Sequence, residues 1–169
     1  MRTAFAVAFG LHLTAVAWAA SRLPLRVPVH WGAGGAPDQW GSRSEFVLSA
    51  ALAGALVGAL SVGAALLLRR VSVQSVRVPF AEHWTSPAHE GELRDRLERD
   101  ALWLGTATLL MITIATLFAV EAATSARQRL SPWVVVVLVG YLLAVTARCV
   151  WSSLVGYRPA PDPAVSPRR

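Results

Sequence analysis

Apolar residues gather in four long runs along this chain, near residues 3–20, 46–68, 101–123 and 132–154, with polar segments of very different character between them. Each run is about 20 residues long, enough for a helix to cross a hydrocarbon layer of about 30 Å. The pattern predicts an all-α membrane protein with four transmembrane helices and an ordered extracytoplasmic loop between the first two.

Local signals set the boundaries. Ser42-Arg43-Ser44-Glu45 has the spacing of a capping box, so the second helix should start there. Within it Ala51, Ala55, Ala59 and Gly63 form one stripe of small residues, with Gly54 and Gly58 on an adjacent one. Stripes of this kind let helix backbones approach closely in lipid. Packing within the chain is their ordinary use; pairing of Gly54 and Gly58 between two copies, giving a homodimer, is the alternative. In the middle loop, Ser86-Pro87 marks the start of a polar helix in which Glu90/Arg94, Glu92/Arg96 and Asp95/Arg99 are spaced i, i+4, acid before base. Leu93, Leu97, Ala101 and Leu104 carry one stripe from this helix into the third run. The chain therefore divides into an N-terminal module (1–68), a loop with an Arg/Glu-rich helix (69–100), the third and fourth membrane helices (101–156) and a Pro-rich tail (157–169) expected to be disordered.

Composition narrows the class. The chain has 169 residues, 54% hydrophobic and 15% charged, too apolar for an ordinary soluble domain of this size. Its net charge of +6 is carried by Arg alone. These arginines sit beside the apolar runs and form no aromatic-interleaved basic face, which argues against a nucleic-acid partner. Arg69, Arg70, Arg77, Arg94, Arg96 and Arg99 crowd the middle loop, and Arg158, Arg168 and Arg169 the tail. By the positive-inside rule both termini and the middle loop are cytoplasmic, and segment 21–45 faces outward. The single cysteine, Cys149, excludes an internal disulfide and a Cys-rich metal site. The first run ends in AVAWAAS and can be read as a cleavable signal, but its length and the central His12 favour a retained helix.

Chemistry concentrates between Leu23 and Glu45, which read LPLRVPVHWGAGGAPDQWGSRSE. Pro24 and Pro28 favour extended backbone, and Gly32, Gly34 and Gly35 permit a left-handed turn or close approach, so a strand and turn should hold His30, Trp31, Asp38 and Trp40 in fixed relation. Two readings compete. In one, His30 and Asp38 bond the loop's own backbone and the two Trp anchor it at the interface. In the other, His30, Asp38 and Glu45 hold a metal, although their spacing matches no recurrent zinc pattern. No Ser-His-Asp or Cys-His arrangement is present, and GAGG lacks the Lys-Ser/Thr ending of a phosphate loop. Three further polar residues interrupt the apolar runs. His12 lies mid-span and is costly there unless partnered; Arg148 can snorkel from the fourth run; Glu121 lies near the outer end of the third. Arg148 and Glu121 fall at opposite faces and are not expected to pair.

The loop also carries a family pattern. It resembles LP..IP.H(W/F)N..G.PD.WGSK, the motif following the first helix in SdpI-like bacterial membrane proteins, whose N-terminal module is catalogued as a domain of unknown function. The resemblance rests on Leu23, Pro24, Val27, Pro28, His30, Trp31, Gly35, Pro37, Asp38, Trp40, Gly41 and Ser42. Gly32 stands where the pattern has Asn, and Arg43 where it has Lys. It implies a multi-pass protein of the bacterial plasma membrane, non-enzymatic and without a cofactor, that senses or confers immunity to an extracellular ligand such as a peptide toxin and signals to a cytoplasmic regulator through helix 90–100. The alternatives are an accessory or transport-associated subunit with His12 and Glu121 on a polar path, and a metal-assisted enzyme using His30, Asp38 and Glu45.

Overall fold

The computed structural model describes residues 1–159. Its elements are α1 (Arg2–Arg22), β1 (Arg26–Trp31), β2 (Pro37–Ser42), α2 (Arg43–Leu68), a 3-10 turn (Val73–Ser75), the short α3 (Ala81–Trp84), α4 (Glu90–Thr124) and α5 (Trp133–Trp151), which ends in a π turn (Ser152–Gly156). Among the described residues, four helices are long and apolar enough to cross a membrane, and the chain is a multi-pass membrane protein. The loop expected between the first two helices is an antiparallel β1–β2 hairpin.

The expected helix boundaries have visible causes. Ser42 Oγ accepts from the Glu45 amide at 3.2 Å and Glu45 Oε2 accepts from the Ser42 amide at 2.6 Å, so the capping box forms and α2 begins at Arg43. The polar helix and the third span are one 35-residue helix, about 50 Å long at 1.5 Å per residue. Its inward face is Leu102, Gly105, Leu109, Thr113, Thr116 and Val120. The expected stripe holds only in part: Leu93 is fully buried but Leu104 is 45% exposed, because the helix turns the stripe away from the bundle beyond Ala101.

α4 is the central helix, with α1 and α2 packed on it and on each other. Gly54 lies against the His12 ring and Gly58 against Phe9, where a Cβ would overlap either side chain. The Gly54–Gly58 stripe is thus used within the chain, covered by α1, whereas Ala55, Ala59 and Gly63 of the adjacent stripe are exposed. Apolar clusters lie at three levels: Phe5, Ala8, Ala65, Leu102 and Leu109 near the N-terminus; Ala19, Leu23, Val27, Val120 and Ala123 under the hairpin; and Val73, Trp84, Leu93 and Tyr157 in the middle loop. Helix α5 stands apart, with none of its residues buried by the described chain and with contacts chiefly to α4.

A polar network closes the end that holds Met1 and Tyr157. The buried Glu98 carboxylate accepts from Arg2 at 2.6 Å and from Arg69 at 2.7 Å, joining α1, α2 and α4. Arg148 pairs with Asp100, to which the Tyr157 hydroxyl donates at 3.1 Å. Arg94 donates to the Leu68 carbonyl and Arg96 to that of Gly156. Of the expected helical pairs, Glu90–Arg94 and Glu92–Arg96 form, whereas Arg99 Nε donates to the Asp95 carbonyl rather than to its carboxylate. Tyr157, expected at the head of the tail, is buried with Trp84, whose indole donates to its carbonyl at 2.7 Å. Burial, and then the neighbouring Asp100 carboxylate, hold the Tyr157 hydroxyl protonated well above the ordinary tyrosine range. The remaining tail, residues 160–169, lies outside the described residues.

Candidate functional site

The hairpin builds its site from an irregular register. Pro28 opposes Trp40, His30 opposes Gln39 and Trp31 opposes Pro37, so Val29 on β1 and Asp38 on β2 are each an extra residue. Such bulges re-aim side chains. Here they bring His30 Nδ1 to 2.6 Å from Asp38 Oδ1. A carboxylate can only accept, so Nδ1 carries the hydrogen and Nε2 has no protein partner among the described residues. The pair is open to solvent, with side-chain exposures of 65% and 52%. Even a charged pair at such exposure stabilises a fold by only about 0–1 kcal/mol, so hairpin stability does not by itself account for this hydrogen bond.

The rest of the hairpin is anchored. Val27 and Pro28 are buried against the bundle. The Gly32 amide donates to the Ala36 carbonyl at 2.9 Å and the Gly35 amide to that of Gly32 at 2.8 Å, closing the turn. At its tip the Leu130 amide donates to the Gly35 carbonyl at 2.9 Å, and Trp31 Nε1 donates to the Gln128 carbonyl at 3.2 Å. Both acceptor and donor partners lie on the connection 125–132 between α4 and α5. Trp40 is half exposed and stacks under the Arg26 guanidinium, 5.2 Å from the ring centre. Pro37 opens β2 opposite Trp31. Gly32, where the family pattern has Asn, lies beside Asp38 Oδ2, so that a Cβ would approach it to 3.3 Å.

The three proposed metal ligands do not converge. Glu45 is engaged by the capping box, and among the described residues no group of three His, Cys, Asp or Glu is placed to hold a metal ion. That corrects the three-ligand reading of His30, Asp38 and Glu45.

His12 is 1% exposed and lies between α2 and α4, with Nε2 3.0 Å from the Ala50 carbonyl and Nδ1 3.2 Å from Thr113 Oγ1. A carbonyl only accepts, so Nε2 carries a hydrogen. Glu121 is exposed on the outside of α4, about two turns beyond Thr113. Arg148 turns to Asp100 on α4 and away from Glu121. The sequence reading missed Leu130 and Gln128 as the hairpin's dock, and Glu98 and Asp100 as network centres. A signal existed for the second pair: they are the two acids of segment 90–100 with no base four residues later.

Residues 7–54, covering most of α1, the hairpin and about the first half of α2, match a family model described as a domain of unknown function (DUF1648). No curated protein and no solved structure matches the chain.

Proposed function

We propose that this chain is a non-enzymatic protein of the bacterial plasma membrane whose hairpin faces outward and recognises an extracellular ligand of the peptide-toxin class, giving sensing of that ligand or immunity to it. The observation that carries the reading is a hairpin locked to the 125–132 connection while its His30–Asp38 pair remains exposed. A ligand engaging the pair acts on β1 and β2 and, through Leu130 and Gln128, on both α4 and α5. Helix α4 runs on to the polar segment Glu90–Asp100, which serves as the surface for a cytoplasmic regulator. The arginine distribution supports this orientation, and the resemblance to SdpI-like proteins, whose namesake is an immunity protein, supports the ligand class. A transport-associated role has less support, because both His12 nitrogens are occupied within the bundle and Glu121 lies on its outside.

Expression in a susceptible bacterium challenged with a panel of secreted peptide toxins tests the reading. The chain should raise survival markedly against one of them relative to cells lacking it. Asp38→Asn and His30→Ala should return survival to that of cells lacking the chain, with unchanged amounts of protein in the membrane. Asp38→Asn is the sharper variant, since it keeps shape and local backbone bonding while removing the charge. No protection against any toxin, or full protection by both variants, would contradict the proposal.

A further inference from the structure

At the end of the bundle opposite the hairpin, a cleft of about 240 Å³ opens between α4 and α5. Its walls include Arg96, Arg99 and Arg148 but one carboxylate, Asp100, together with Trp103 and Trp151. Both Asp100 oxygens are already engaged: Oδ1 accepts from Arg148 and Oδ2 from the Tyr157 hydroxyl. Arg96 is matched by Glu92 outside the cleft. Arg99 is different. Its one hydrogen bond among the described residues runs from Nε to the Asp95 carbonyl, leaving both terminal nitrogens of the guanidinium without an acceptor. Arg148 sits between two indoles, 5.7 Å from the centre of Trp103 and 5.0 Å from that of Trp151. Its bonds to Ser152 and Asp100 leave further N–H groups free.

Three physical features thus coincide. The cleft carries a surplus of positive charge, it is lined by two Trp, a residue type enriched where bilayer headgroups meet acyl chains, and its α5 wall presents the Trp151 ring, 52% exposed, as an open apolar flank. We propose that it binds an anionic phospholipid, with the phosphodiester held by Arg99 and Arg148 and the acyl chains lying along α5. A zwitterionic lipid brings its own cation to the phosphate and would forfeit most of the attraction; a free phosphate would leave the apolar flank empty. Basic pockets between membrane helices are suited to this chemistry.

The full chain, purified in a non-ionic detergent, provides the test. Phosphatidylglycerol added as mixed micelles should raise the thermal unfolding midpoint by about 4 °C, as a ligand that binds the folded state in excess does. Phosphatidylcholine and inorganic phosphate should each shift it by less than about 1 °C. Arg99→Gln should weaken the phosphatidylglycerol effect about fivefold in apparent affinity, the size expected for one cation at an anionic headgroup. Arg129→Gln, at the hairpin end, should leave it unchanged. Arg99 is chosen because Arg148→Gln would strand Asp100 and could unfold this end of the bundle. An equal response to phosphatidylcholine, an equal response to inorganic phosphate, or an unaltered affinity in Arg99→Gln would each overturn the proposal.

Discussion

At Gly35 the backbone has φ 71°, and the Leu130 carbonyl lies 3.0 Å from where a Cβ would be built. A side chain there would meet both the left-handed penalty and the carbonyl of Leu130, the residue whose amide fixes the hairpin to its neighbouring loop by donating to the Gly35 carbonyl. Gly35→Ala should therefore loosen the hairpin by about 1–3 kcal/mol. Gly34→Ala, with nothing within 4 Å, should be near neutral. Hydrogen exchange of the Leu130 amide, whose partner is the Gly35 carbonyl, distinguishes the two: its protection should fall in Gly35→Ala alone, and equal protection would refute the docking account. The sequence allowed a strained or closely approached glycine somewhere in Gly32–Gly35 but could not say which, since the carbonyl responsible comes from Leu130, 95 residues later. The His30–Asp38 contact was hidden for a related reason. Both residues stood out as chemistry, yet their meeting depends on two bulges that a regular hairpin pattern does not announce.

Among the elements, the helices were legible because their causes are local. Apolar run length placed all four, and the Ser42/Glu45 spacing placed the start of α2. The partner of each helix face was less accessible. Small residues along α2 showed that something approaches closely; that it is α1, through His12 and Phe9, required the fold. Gly54→Ala should consequently force the His12 ring aside and cost about 1–3 kcal/mol of stability in detergent. Gly63→Ala, on a face with no atom within 4 Å, should be neutral or slightly stabilising, as alanine is the better helix former. Unfolding midpoints in sodium dodecyl sulfate would separate these outcomes, and equal tolerance at both positions would show that α1 does not pack where it is placed. The pairing of Arg148 with Asp100 likewise escaped the sequence because the two lie on different helices, 48 residues apart.

For the whole molecule, the bundle has two unlike ends. One carries the docked hairpin and the 125–132 connection; the other carries the first residues of α1, the middle loop, Tyr157 and the Glu98 and Asp100 networks. A recognition role for His30 and Asp38, with output through Glu90–Asp100, requires these ends to face opposite sides of the membrane. Labelling of introduced cysteines by a membrane-impermeant maleimide, in a Cys149→Ser background, measures that directly. Ala33→Cys in the hairpin turn should react in intact cells, and Thr85→Cys in the middle loop only after the membrane is permeabilised. Reaction of both from the same side, or of Thr85→Cys alone in intact cells, would contradict the account.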